Sequence, residues 1–425
     1  MIETFSYSHC SSNFDEKVMF SPYFSLIWES LREGSGPGIM AAMGRRAVRN
    51  RTTQAVVSLD SLARNLGRVR DRVGDIQIMG VVKADAYGHG AFPVARTLVE
   101  AGATWLGVAL PEEGVQLRRQ GLQVPILVMG PTPPDQGPLL SEYRLDQMVY
   151  HPFHARALSA STGGSREAVR VHLKIDTGMG RLGIHPSEAA AGAKAIVHLP
   201  GLELGGVMTH FAAADAADKG HALEQLRRFL EAVREIEAAG IAVPLRHAAN
   251  SAAILNLPET HLDMVRPGIA LYGYPPSLFV SQGHPWEPVL TFMTRIAQMK
   301  KVPKGGTVSY GCTYVAPRDI LVATLPVGYA DGYNRLLSNQ GEVLIRGQRA
   351  PVIGRVSMDM IMIDVTDVGG AQEGEEVILL GRQGDQAFSA DEWAARLGTI
   401  SYEILCNISK RVPRTYIWQG KILGA

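Results

Sequence analysis

From about residue 50 to residue 275, short apolar runs alternate with segments of helical period. The runs at 54–58, 76–82, 104–109, 125–129, 146–150, 169–175, 203–209, 245–249 and 263–266 predict strands. The clearest amphipathic helix between them is 221–239, where Leu223, Leu226, Leu230 and Val233 recur at helical spacing and Gly240 ends the run. Strand and helix alternating about eight times predicts a TIM-type, eight-stranded α/β barrel. A doubly wound open sheet is the alternative, but no G-x-G-x-x-G follows any strand.

After about residue 285 the pattern changes. Leu290–Val302, Ile320–Pro326, Glu342–Ile345 and Ile361–Val365 are short, β-branched and separated by glycine turns, which predicts a mainly β domain. Only 389–397, opened by the capping box Ser389-x-x-Glu392, and a turn near 401–406 read as helical. The expected organisation is a barrel over 48–284 and a β domain over 285–425, with the strand at 54–58 a candidate member of the second. Residues 1–47 are rich in Ser, Phe and Gly, lack sustained periodicity, and contain the breaker cluster Glu33–Gly38. They read as a disordered extension, or as a start placed too early with Met40 or Met43 as the true one.

Composition narrows the class. The chain has 425 residues, 46% hydrophobic and 20% charged, as in soluble globular proteins. Its net charge of +1 gives no reason to expect nucleic acid or an anionic membrane as partner. No apolar run reaches the roughly 20 residues of a membrane helix. The N-terminus lacks the basic region and cleavage site of a signal peptide. Cys10, Cys312 and Cys406 share no metal-ligand spacing and form no disulfide framework. A cytoplasmic protein without a metal is expected.

In a barrel, working residues sit on the loops after the strands. Those positions here are Lys83 and Tyr87; Lys174-Ile175-Asp176-Thr177-Gly178-Met179-Gly180-Arg181; Thr209-His210-Phe211; His247-Ala248-Ala249-Asn250-Ser251; and Arg266-Pro267-Gly268-Ile269. A lysine at the end of a buried run is either a snorkelling cation or an amine whose lowered pKa suits it to attack a carbonyl. The last two loops offer the Ser251 hydroxyl and the Gly268 and Ile269 amides to an anion, or are simple turns. A carbonyl and a phosphate together suggest pyridoxal 5′-phosphate.

The motifs VVKADAYGHG, DTGMGRLG, HAANSAA, VRPGIALYG, VSYGCTY, LPVGYADGY and GRVSMDM, in order from residue 81 to residue 360, make the chain resemble the alanine racemases. These are fold-type III pyridoxal-phosphate enzymes, and the resemblance covers about residue 50 to the C-terminus. It implies that Lys83 holds the cofactor and is one of two acid–base groups. Tyr310 is then the second, supplied by the partner subunit of a homodimer with shared active sites. Arg266 faces the pyridine nitrogen, His210 packs on the ring, and Tyr87, Ser251, Gly268, Ile269 and Tyr402 hold the phosphate. Arg181 and Met358 contact the substrate, a small amino acid. Lys174, Asp359, Tyr329, Asp215 and Arg335 support the site or its entry corridor, and Lys174 matches a lysine carbamylated in many members. Asp85, Asp176 and Asp331 read as structural. The implied activity is interconversion of L- and D-alanine, supplying D-alanine for peptidoglycan. Rival readings are a broader racemase acting on serine or basic amino acids, a fold-type III decarboxylase, which Arg266 argues against, and a pyridoxal-phosphate-binding protein without turnover.

Overall fold

The computed structural model describes residues 51–162, 167–277 and 286–423, so the expectation for 1–47 lies outside the described residues. Strand β1 (Gln54–Ser58) leads into helix α1 (Leu59–Val73). The Ser58 hydroxyl accepts the Ser61 amide and Asp60 lies in the first turn, both favourable at a helix N-terminus. The buried side of α1 is Leu59, Leu62, Leu66, Val69 and Val73, spaced three or four apart.

Eight parallel strands follow: β2 (Gln77–Val81), β3 (Trp105–Val108), β4 (Ile126–Val128), β5 (Asp146–Val149), β6 (Val169–Lys174), β7 (Leu202–Met208), β8 (Arg246–His247) and β9 (Met264–Val265). They pair in the order β8-β7-β6-β5-β4-β3-β2-β9. An isolated parallel bridge between Asn250 and Arg266 spans the seam, so the barrel is nearly closed. Both strand faces are covered, so β3 and β4 read as continuous apolar runs, whereas β5, β6 and β8 also carry charged or polar residues. Side chains nevertheless alternate between two cores. Met79, Trp105, Leu127, Met148, Met208 and Met264 cluster together, while their neighbours Ile78, Leu106, Ile126, Val149, Val207 and Val265 join the larger core. Burying each such side chain contributes about 1.5–3 kcal/mol.

Helix α2 (Gly220–Ala238) is the helix expected at 221–239, and Gly240 follows its end with φ +77°. Its buried face is Ala222, Leu226, Phe229, Val233 and Ile236, whereas Leu223 is exposed. The apolar stripe is therefore rotated by one position from the leucine spacing.

Twelve strands follow the barrel, and ten of them join β1 in a second sheet of eleven strands. The first of the twelve are β10 (Leu290–Arg295), β11 (Gln298–Val302), β12 (Thr307–Val308), β13 (Tyr314–Val315), β14 (Ile320–Leu325), β15 (Glu342–Ile345) and β16 (Gln348–Ile353). They are followed by β17 (Ile361–Asp364), β18 (Glu376–Gln383), β19 (Gln386–Phe388), β20 (Arg414–Trp418) and β21 (Lys421–Leu423). The sheet order is β11-β14-β17-β16-β15-β18-β10-β1-β20-β21, with β19 on β18 and β12-β13 a separate hairpin. The single run expected at 290–302 is broken at Ile296-Ala297, and β10 and β11 pair with different neighbours. The Ser389 hydroxyl accepts the Glu392 amide, as its capping box requires. Among the described residues, no helix is long and apolar enough to cross a membrane.

Candidate active site

The loops after the barrel strands enclose a cavity of about 660 Å³. It is lined by Lys83 and Tyr87 from the loop after β2, and Lys174 and Arg181 from the end of β6 and beyond. His210 and Asp215 come from the loop after β7, and Ser251, Arg266, Gly268 and Ile269 from the loops after β8 and β9. Tyr402, from the helix Ser401–Cys406 of the β region, completes the set.

Lys83 stands at the start of a left-handed turn. Ala84, Asp85, Ala86 and Tyr87 all have φ near +54°. Each such residue costs about 1–2 kcal/mol, so the turn requires support from outside itself. The Ala84 amide donates to the Glu113 carboxylate (2.6 Å) and the Ala91 amide to Asp85 Oδ1 (2.7 Å). The Tyr87 ring lies 4.6 Å from that of Tyr272 and 6.0 Å from that of Tyr402. Beyond it the chain presses on the β region: Arg414 Nε donates to Gly88 O (3.0 Å), and a Cβ on Gly90 would lie 1.9 Å from Tyr416 Oη. The glycines of Tyr87-Gly88-His89-Gly90 are thus fixed by close approach as well as by φ.

Four basic side chains, Lys83, Lys174, Arg181 and Arg266, share the cavity. Lys83 lines the cavity and stays exposed, and desolvation and the Arg181 charge lower its pKa. Lys174 is buried, and burial, Arg266 and Arg181 drive its pKa well down. Burial and the same cations hold His210 far below the usual imidazole range, so its ring is neutral. Asp176 accepts the amides of Gly178, Met179 and Gly180 and so shapes the loop that carries Arg181. Burial lowers the Arg266 guanidinium to about 9, which leaves it protonated at neutral pH. It donates through Nη1 to His247 Nδ1 (2.9 Å), and through Nη2 to Thr209 O (2.8 Å) and Ala248 O (2.9 Å). Of its five N–H donors, Nε–H and one on Nη1 have no protein acceptor among the described residues.

Opposite the lysine, Ser251 Oγ accepts the Gly268 amide (2.9 Å) and, at longer range, the Ala270 amide (3.4 Å). The Gly268 amide is therefore engaged by the hydroxyl beside it, where the sequence presents it as open. A Cβ on Gly268 would lie 2.6 Å from Tyr87 Oη, so the absence of a side chain keeps this lip of the cavity open.

The remaining expected residues lie outside the cavity. Tyr310 is 73% exposed on a tight turn between β12 and β13, after Ser309 at φ +67°. Ser309 Oγ donates to Arg355 O, tying that turn to the segment leading to Met358. Tyr329, Met358 and Asp359 form one exposed unit. The Tyr329 amide donates to Ser357 O and the Ala330 amide to Met358 O, while fully buried Asp331 accepts from Arg51, Arg411 and the Gly328 amide. Arg411 also donates to Asp359 (2.6 Å), and Arg335 is exposed on its own turn. The sequence reading missed the apolar wall formed by Met129, Met148, Met179, Met208 and Ile400. Met129 and Met208 were detectable, since both sit at strand ends.

Models of the alanine racemase N-terminal and C-terminal domains match residues 57–276 and 289–416. An alanine racemase of Halothermothrix orenii is 49% identical over 375 residues, 88% of this chain and 98% of that protein. One from Clostridium novyi is 44% identical over 376 residues, 88% of this chain and 97% of that protein. Among solved structures, alanine racemase of Bacillus anthracis with bound L-Ala-P has a TM-score of 0.84 at 39% identity, covering 88% of this chain and 97% of that one. The Clostridium difficile enzyme in complex with cycloserine gives 0.82 at 35% identity, with 88% and 97% coverage. With both domain models in sequence order and near full-length relatives at this identity, the chain belongs to the alanine racemase family.

Proposed function

We propose that the protein interconverts L- and D-alanine with pyridoxal 5′-phosphate, using Lys83 and Tyr310 as the two proton carriers of a site shared across a homodimer. The observation that carries this reading is one cavity gathering an amine of lowered pKa, a guanidinium with two unused donors and an open glycine lip, while Tyr310 stands exposed elsewhere on the chain.

The donor set fits the cofactor. Lys83 supplies the amine for its aldehyde, and Ser251, Gly268, Ile269, Tyr87 and Tyr402 the groups for its phosphate. The free donors of Arg266 serve its ring nitrogen, and His210 a neutral ring to pack against it. When bound, pyridoxal phosphate makes the α-proton of an amino acid acidic by accepting the electron pair left behind. An arginine at the ring nitrogen can only donate, so it leaves that nitrogen unprotonated and the sink weak. A weak sink favours return of a proton to Cα over competing losses.

Racemisation requires a proton to leave one face of Cα and another to arrive on the opposite face. One side chain cannot reach both. Lys83 serves one face and the partner subunit's Tyr310 the other, with Met358, Asp359, Tyr329 and Arg335 brought in on the same surface. Arg181 holds the substrate carboxylate. Lys174, a buried amine whose pKa is lowered by burial and by the charges of Arg266 and Arg181, is read as carbamylated, which would give Arg181 an anionic partner. Asp215 lines the way in. The D-alanine formed serves peptidoglycan, and the cytoplasm is the compartment assigned.

Borohydride treatment of the holoenzyme is expected to fix the cofactor on Lys83, read by mass spectrometry of the peptide that contains it. Label on another lysine, or unchanged cofactor retention in Lys83→Ala, would overturn the anchor assignment.

A further inference from the structure

A hydrogen-bonded chain runs through the barrel interior from the cavity to the opposite mouth. Arg266 Nη1 meets His247 Nδ1 at 2.9 Å, His247 Nε2 meets His172 Nδ1 at 2.8 Å, and His172 Nε2 meets Asp146 Oδ2 at 3.3 Å. Both histidines are fully buried, and Asp146 is nearly so. Asp146 is the first residue of β5, so it lies at the N-terminal ends of the strands, away from the cavity. Arg170 donates to the same carboxylate oxygen (2.9 Å), and its guanidinium lies 5.1 Å from the Trp105 ring.

The protons along this chain follow from its end. A guanidinium can only donate, so His247 Nδ1 accepts and its single proton is on Nε2. That proton is donated to His172 Nδ1, which puts the His172 proton on Nε2, facing the carboxylate. A second proton on either ring would set two N–H groups against each other. Burial and the Arg266 charge, which hold His247 well below the usual imidazole range, act in the same direction. The chain has one polarity, and an acceptor at its far end completes it.

We propose that Asp146 is a positioning residue for Arg266, acting through His172 and His247. The carboxylate fixes the His172 tautomer, which fixes His247, whose Nδ1 lone pair then holds Nη1 of Arg266. With Thr209 O and Ala248 O on Nη2, this leaves the guanidinium one orientation, with its two remaining donors available to the cavity. Without the far acceptor, the polarity that Arg266 imposes leaves the His172 Nε2–H buried and unpaired, so the two ends of the chain no longer favour the same tautomers and the His247 lone pair is held less firmly on the arginine. The inference rests on the reading that Arg266 serves the cofactor ring.

The test compares Asp146→Ala and His172→Phe, which break the chain, with Arg170→Ala, which removes the ion pair on Asp146 and leaves the chain whole. All are measured as holoenzymes. The first two are expected to move the absorption maximum of the bound cofactor and lower kcat by about tenfold, with KM within about twofold, because Arg266 is misplaced and not lost. Arg170→Ala is expected to keep the wild-type spectrum. Neutron diffraction of the wild type should place a deuteron on Nε2 of both His172 and His247. If Asp146→Ala does not fold, His172→Phe carries the comparison. A wild-type spectrum in both chain-breaking variants, a shift in Arg170→Ala equal to theirs, or a deuteron on His247 Nδ1 would overturn the proposal. Failure of the wild-type protein to bind pyridoxal phosphate at all would instead overturn the cofactor reading.

Discussion

At the scale of single residues, the same side-chain type is put to different use by its surroundings. Lys83 opens on the cavity and Lys174 is sealed beneath it, and both pKa values are lowered by desolvation reinforced by a guanidinium. Lys83 was visible in the sequence as a cation at the end of an apolar run. The depression of Lys174 was not, because it depends on Arg181 and Arg266, which come from loops far apart in the chain. Gly268 gives a sharp residue-scale expectation. A methyl group there would meet Tyr87 Oη at 2.6 Å, on the lip assigned to the phosphate. Gly268→Ala is expected to weaken pyridoxal-phosphate binding by at least about tenfold, roughly 1.4 kcal/mol, with the melting temperature of the cofactor-free protein changed little. Titration by absorbance checks it, and unaltered affinity would remove Gly268 from the phosphate site.

At the scale of elements, the segment from Lys83 to Gly90 carries both the strain and its support. The sequence suggests a break into glycines after Lys83, whereas the left-handed conformation falls on Ala84 to Tyr87, which have no intrinsic preference for it. Contacts with Glu113, Tyr272, Tyr402 and Arg414 impose it, and none of these is a neighbour in sequence. The strands were legible from their apolar runs, and the helix at 220–238 from its period, although its buried face is rotated by one position; the turn was not, because its cause is tertiary. Within the turn, His89 is fully buried, its Nδ1 bonded to Tyr87 O and its Nε2 without a partner among the described residues. Burial pushes its pKa down to about 4. The unfolded chain therefore binds this proton more readily than the folded one. The stability is intact above the unfolded value of about 6.5 and falls by about 3 kcal/mol as pH drops from there toward 4. Thermal melts between pH 7 and 4.5 are expected to show this loss, and His89→Gln to flatten it. Parallel melting curves for the two proteins would contradict the assignment.

At the scale of the whole molecule, the proposed chemistry draws on both the barrel and the β region. The barrel cavity gathers the residues proposed to hold the cofactor, and the loops bearing Tyr310, Tyr329 and Met358 are exposed, with Leu336, Val315 and Met360 exposed among the same strands and turns. An apolar surface of that kind is suited to a partner. The barrel and β architecture was readable from the change in periodicity near residue 285, and most of the polar residues that line the cavity stand in motifs of the sequence. That Tyr310 belongs to another subunit's site was an expectation from the resemblance alone; the structure adds that Tyr310 is exposed and is not among the residues lining the cavity of its own chain. Sharing of each active site, with Lys83 from one subunit and Tyr310 from the other, is what the proposed function most depends on. It is tested by co-expressing Lys83→Ala and Tyr310→Ala chains under different tags, isolating the mixed species and assaying racemisation of L-alanine. Each variant alone is expected to be inactive. In a mixed dimer one of the two sites regains both residues, so activity should return to about half that of wild type. A mixed dimer as inactive as its parents, or full activity in either variant alone, would contradict the shared two-carrier site.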